Sequence, residues 1–174
     1  MAYKVLNNVS VKDVTSSDLL SLKTDLLVIV INKNTKDKVV NQLAKDVSSH
    51  LKESGSSVLV PNAKSFNAKN VLLVKGFQDS DQIHKLISMY QSIAQKGNQL
   101  KAKDISIMPG TVYPKGKCEM WLIEMVAKTI ESNVYIFSET CNKTAKKPSV
   151  KKLNILVSSL TKSDLIKAKN AAKK

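Results

Sequence analysis

The sequence predicts an α/β domain, with a largely parallel or mixed sheet and helices on both of its faces. Three observations predict it. Short apolar runs alternate with apolar stripes at helical spacing along the chain. The run Leu26-Leu27-Val28-Ile29-Val30-Ile31 shows no in–out alternation, as a strand covered on both faces requires. With 174 residues and 43% apolar content, the chain fits one domain with a genuine core.

The elements follow in order. Tyr3 to Leu6 reads as a strand, and Leu26 to Ile31 as a second. From Thr35 the period changes: Val39, Val40, Leu43, Ala44, Val47 and Leu51 form a helical stripe, with Lys36, Lys38, Lys45 and Lys52 facing away. Glu53-Ser54-Gly55 closes that helix. Val58 to Val60 is a short strand stopped by Pro61, and Asn70 to Val74 is another, closed by Gly76. Asp79-Ser80-Asp81 supplies cap chemistry for a helix striped by Ile83, Leu86, Ile87, Tyr90, Ile93 and Ala94 and ending at Gly97. Ile105 to Met108 is a strand broken by Pro109-Gly110. A long helix runs from about Lys117 to about Ser132, and Val134 to Phe137 continues its apolar character. A basic loop, Lys143 to Pro148, precedes a last strand, Leu153 to Val157. Thr161 and Asp164 resemble a capping box for a final helix. That helix reaches Ala172-Lys173-Lys174 with no Gly or Asn stop, and reads as one whose chain continued.

Aromatic residues are only 5%, so the core is aliphatic. No run approaches the ~20 apolar residues of a membrane span, and Met1-Ala2-Tyr3-Lys4 has no signal-peptide layout. Cys118 and Cys141 form no CxxC pair and read as reduced thiols of a cytoplasmic protein. The net charge of +14 suits a nucleic-acid partner. Yet every basic residue is lysine, which offers a hydrated point charge and not the fork with which arginine reads bases. The charge concentrates late: residues 136–174 carry ten Lys against Glu139 and Asp164, a net of +8. Lys143, Lys146, Lys147, Lys151 and Lys152 are the candidate basic contact surface, with solvated decoration the favoured reading and weak, non-specific nucleic-acid binding the alternative.

Catalytic chemistry finds no support. His50 and His84 lack partners at metal-ligand spacing, and Glu119, Glu124 and Glu131 fit no HExxH-type pattern. No serine sits in a GxSxG elbow, neither cysteine has a nearby histidine, and the five glycines form no phosphate loop. No catalytic, cofactor-binding or metal residue is therefore assigned. Trp121 and Met125 form a ridge beside the core stripe Leu122, Ile123, Val126 and Ile130. It is a candidate docking surface, with a wide core contact the favoured reading.

The local phrasing resembles one family. Asp25 to Val30 resembles the first core strand of the N-terminal domain of leucine (cytosol) aminopeptidases. Val71-Leu72-Leu73-Val74-Lys75-Gly76-Phe77 resembles that domain's "VLLVGLG" strand and turn. Gln95 to Met108 resembles its helix and strand ending in "ALP", here Ile107-Met108-Pro109. Ile130 to Val157 resembles the stretch "EGALLGSYRFDRYKSKKK…LKKLTLL".

The resemblance implies a macro-domain-like, three-layer αβα sandwich with a mixed sheet over residues 1–160. Residues 161–174 would begin a linker helix to a C-terminal catalytic domain. The parent enzyme would release N-terminal residues from peptides as a hexamer, using two divalent metals (Zn, Mn or Mg). This chain would contact its own catalytic domain and other protomers. The family's "KGITFDSGG" and "NTDAEGR" motifs do not occur here, so no catalytic residue carries over. Ser132 and Asn133 replace a Gly-Ala pair, and Tyr135-Ile136-Phe137-Ser138 replaces Tyr-Arg-Phe-Asp. Macro domains proper bind ADP-ribose through a Gly-rich loop, but Asn32-Lys33-Asn34-Thr35 has no glycine, so ADP-ribose binding is not expected. A stand-alone macro-like nucleotide-binding domain is the third reading.

Overall fold

The computed structural model describes residues 8–13, 16–31, 38–47, 49, 51–52, 56–64, 66–76, 83–109, 117–140 and 150–157. Six strands form one sheet: β1 (Asn8–Asp13), β2 (Leu26–Ile31), β3 (Ser57–Pro61), β4 (Asn70–Lys75), β5 (Asp104–Met108) and β6 (Lys152–Val157). Among the described residues four helices accompany it: α1 (Ser16–Ser21), α2 (Lys38–Asp46), α3 (Ile83–Gln99) and α4 (Glu119–Thr140). The strand order is β1-β6-β5-β2-β4-β3. All neighbours are parallel except β3, which runs antiparallel to β4 at the edge.

The central strands are buried on both faces because helices cover both. On one face, Leu26, Val28, Leu72, Val74, Ile105, Ile107, Leu153 and Ile155 pack against Tyr90, Ile93 and Ala94 of α3 and Leu122, Ile123, Val126 and Ile130 of α4. On the other, Leu27, Ile29, Val71 and Leu73 meet Leu19 of α1, with Leu43 of α2 and Phe66 beside them. The result is the three-layer αβα sandwich with a mixed sheet that the alternating pattern predicts. Edge strand β3 is only half-buried, and Pro61, which has no N–H to offer a further strand, ends it.

Helix α3 lies tight against the sheet at Gly97, where a Cβ would lie 2.4 Å from Ile105 Cδ1. Its end is a Schellman cap. The Lys101 N–H donates to the Asn98 carbonyl (3.1 Å) and the Ala102 N–H to the Gly97 carbonyl (3.0 Å). Lys101 occupies the left-handed position, at φ 53°, where glycine is the usual residue.

Four elements differ from the sequence reading, one of them α2, which ends at Asp46 so that Leu51 lies beyond the helix and not on its stripe. The first described strand is Asn8–Asp13, with Val9 and Val11 packed inward; the expected Tyr3–Leu6 strand lies outside the described residues. Helix α1 has six residues, too few to show a period. Helix α4 continues through Glu131-Ser132-Asn133 to Thr140, since this segment holds neither Gly nor Pro. There Asn133 Nδ2 donates back to the Thr129 carbonyl at 2.8 Å.

Candidate functional site

A parallel sheet offers ligands the crevice outside the carboxyl ends of its strands, where the strand order reverses. Here that point lies between β2 and β5. Ile31, Gly76, Met108 and Pro109 are the described residues there; connections 32–37, 77–82 and 110–116, with the Asn32–Thr35 stretch, lie outside them. Gly76 donates its N–H to the Ile31 carbonyl at 2.7 Å. A Cβ on it would sit 3.0 Å from Val30 Cγ1 and 3.1 Å from that carbonyl oxygen, so glycine lets β4 leave the sheet tight against β2.

The amino end is polar. Ser10, Asn154 and Ser106 share one register row across β1, β6 and β5. Ser10 Oγ donates to Asn154 Oδ1 (2.6 Å), and Asn154 Nδ2 to Ser106 Oγ (3.3 Å). Ser106 Oγ donates to Thr24 Oγ1 (3.1 Å), which donates to Asp104 Oδ2 (3.1 Å). Asp104 Oδ1 accepts from the Asp25 N–H (3.0 Å), and Asp25 Oδ2 from the Lys103 N–H (2.9 Å). The Lys69 ammonium lies 3.2 Å from Asp25 Oδ1. Partial burial pushes the Asp25 carboxyl up, but the Lys103 N–H and the Lys69 ammonium outweigh it and hold it below the usual value. The sequence reading missed this network. Its signal is single polar residues inside apolar runs, Ile105-Ser106-Ile107 and Leu153-Asn154-Ile155.

These carboxylates are anchored by backbone donors, with no histidine or thiol in the network, and the arrangement serves strand placement. Among the described residues no group of three His, Cys, Asp or Glu could hold a metal, and no helix is long and apolar enough to cross a membrane. His84 and Cys118 are exposed, while His50 and Cys141 lie outside the described residues. Glu124 pairs with Lys128 one turn on, at 2.7 Å.

Of the candidate basic surface, Lys151 and Lys152 are exposed at the start of β6; Lys143, Lys146 and Lys147 lie outside the described residues. The Trp121–Met125 ridge divides. Met125 is core at 8% exposure, whereas Trp121 is half-buried against the same cluster, with the Lys117 ammonium 5.5 Å from its ring centroid. An open groove of about 350 Å³ runs between α2 and β3 over Leu43, Val60, Ala63 and Phe66, and its rim residues Gln42 and Asp46 bond each other at 3.1 Å.

No protein-family model matches the chain, and no curated protein matches it by sequence. Solved structures do. The Trypanosoma brucei macrodomain, in complex with ADP-ribose, superposes with a TM-score of 0.69 at 12% identity, over 95% of this chain and 69% of its own. The macro domain of ganglioside induced differentiation associated protein 2 gives 0.65 at 15%, over 97% of this chain and 86% of its own. The chain has a macro-domain fold. A mutant of tomato leucine aminopeptidase also shares this fold, with a TM-score of 0.60 at 21% identity, over 94% of this chain. The chain spans 35% of the tomato enzyme's length.

Proposed function

We propose that this macro fold is the non-catalytic N-terminal domain of a metal-dependent leucine aminopeptidase, contributing to oligomer assembly and to access to the active site. Residues 1–160 form the domain, and residues 161–174 begin the linker helix to the catalytic domain. The observation that carries this reading is the ordered run of aminopeptidase-like segments. Three of them fall on β2, β4 and β5 with its preceding helix α3, and the fourth spans α4 to β6. The identity to the tomato enzyme, 21%, against 12% and 15% to the macrodomains, points the same way. Catalysis would reside in the other domain, with its two divalent metals.

A second reading, a stand-alone macro-like nucleotide binder, is favoured by the better superposition on the ADP-ribose-bound macrodomain. Two measurements separate them. Calorimetric titration of the purified chain with ADP-ribose is expected to show no binding; micromolar affinity would select the second reading. Sequencing the reading frame past Lys174 is expected to reveal "KGITFDSGG"-like and "NTDAEGR"-like segments, and a stop codon there would overturn the aminopeptidase reading.

A further inference from the structure

Strand β3 closes one side of the sheet, and its register shows what it leaves open. The Lys75 N–H donates to the Ser56 carbonyl and the Asn62 N–H to the Lys69 carbonyl, both at 2.9 Å, in register with the β3–β4 pairs between them. Residues of an antiparallel strand alternate between bonding the partner and bonding away from it. Ser56, Val58, Val60 and Asn62 therefore bond β4, while Ser57, Leu59 and Pro61 turn their backbone groups outward. Pro61 sits where no N–H is asked for. The outward side thus offers the N–H of Ser57 and Leu59 and the carbonyls of all three, and among the described residues no strand pairs with them. Ser57 and Pro61 are exposed, and the residues between them are half-buried.

A groove borders this edge on each face of the sheet. On the α2 face, Val60 lines the open groove floored by Leu43, Ala63 and Phe66, where Asp46 and Lys64 offset each other in charge. On the α3 face, Ser57 lines a smaller groove of about 150 Å³ with Val74 of β4 and Met89, Ser92, Lys96 and Gln99 of α3. Lys96 is the one charged residue lining it, so its complement is a carboxylate. Side chains of an added strand would stand beside their opposite numbers on β3: next to Ser57 and Leu59 on the α3 face, next to Val58 and Val60 on the α2 face.

We propose that β3 takes up an extended peptide segment of a partner protein as an added antiparallel strand, with a carboxylate beside Ser57 and apolar side chains beside Val58 and Val60. Main-chain bonds supply the affinity in this mode of recognition, and alternate side chains supply the choice of partner. Pro61, which has no N–H to give, marks where the pairing stops. A second copy of β3 fits less well. It brings no carboxylate to Lys96, and it sets one chain of net charge +14 against another.

The probe is the capped pentapeptide acetyl-Thr-Val-Thr-Val-Glu-amide. In antiparallel register it sets its glutamate against Ser57 and its valines against Val58 and Val60. It carries one negative charge, so general attraction to a lysine-rich surface contributes little. In a titration followed by amide NMR, the Ser57 and Leu59 N–H signals are expected to move most, with half-saturation near ~1 mM. N-methylation of the two threonines and the glutamate removes the three donors that face β3 and is expected to weaken binding at least about tenfold. N-methylation of the valines, whose N–H groups face away, is expected to change it less than about twofold. Exchanging the peptide's glutamate for glutamine is expected to cost about threefold with the wild-type chain and nothing with K96Q. Ser57 and Leu59 signals that stay still at ~5 mM peptide overturn the proposal. Equal losses from the two methylated peptides overturn it as well, as does a glutamine penalty that K96Q leaves unchanged. Signals of Ser57 and Leu59 that shift with protein concentration alone would give the edge to a second copy, and would overturn it too.

Discussion

Replacing Gly97 with alanine probes how closely helix α3 lies on the sheet. In an exposed helix the change stabilises by about 1 kcal/mol, because alanine is the better helix former. Here the new methyl would stand 2.4 Å from Ile105 Cδ1, 3.3 Å from Ile105 Cγ1 and 3.4 Å from Val150 Cγ2. Ile105 and Val150 are both fully buried, so the clashing methyl has no solvent to retreat into. Overpacking of this kind costs about 1–3 kcal/mol. The balance is a net loss of up to about 2 kcal/mol. A second change makes the source explicit, since Ile105→Val deletes the Cδ1 methyl and alone costs about 0.5–1.5 kcal/mol. In the pair G97A/I105V the tightest contact is gone and the helix gain remains, so the double variant is expected to be more stable than the sum of the two singles by about 1–2 kcal/mol. Urea melts of the four proteins at one pH give the cycle. Stabilisation by G97A alone, or additivity of the two changes, would refute the close approach.

Two further outcomes follow from local geometry. Lys101→Gly relieves a side chain held at φ 53°, and is expected to raise stability by about 0.5–1 kcal/mol after the entropy glycine adds to the unfolded chain; a loss in the same melts counts against the Schellman cap. Asp25 has a folded-state pKa below its ordinary 3.8, so its contribution is complete above about pH 5 and is lost as pH falls through the lower folded value. The stability gap between wild type and Asp25→Asn is therefore expected to shrink between pH 5 and pH 2 in a pH series of urea melts, and a constant gap would show that the carboxylate's charge does not matter.

The strands with unbroken apolar runs were legible because burial on both faces leaves a short, β-branched apolar run of strand length: Leu26 to Ile31 matches β2, and Val71 to Val74 forms the body of β4. The edge elements were harder. In β1, Ser10 and Lys12 alternate with Val9 and Val11, and six residues of alternation are easily lost beside the polar Asn7-Asn8. The amino-edge features were illegible for a different reason. Thr24, Ser106 and Asn154 are each unremarkable alone and become a network only when the strand order sets them side by side. Likewise the sequence locates a lysine cluster at 143–152 by counting along the chain, and of it Lys151 and Lys152 are described, exposed where β6 begins. The Trp121 ridge stayed divided because helical spacing shows which residues share a face, not where the edge of that face meets solvent.

The place of β1 bears on how the protein is made. Among the described residues its one sheet neighbour is β6, and the bond from Ser10 to Asn154 closes across 144 residues. At 5–20 residues per second, a ribosome takes about 7–30 s to supply that partner after Ser10 is synthesised. Throughout that interval the early strand has no ladder to join and β5 has an unpaired side. The inner strands β2 to β5 can pair as they emerge, but the outer seam must wait. A nascent chain arrested before residue 152 therefore presents an unpaired β1 and an open side of β5 to any trigger for misassembly or any chaperone that binds extended chain.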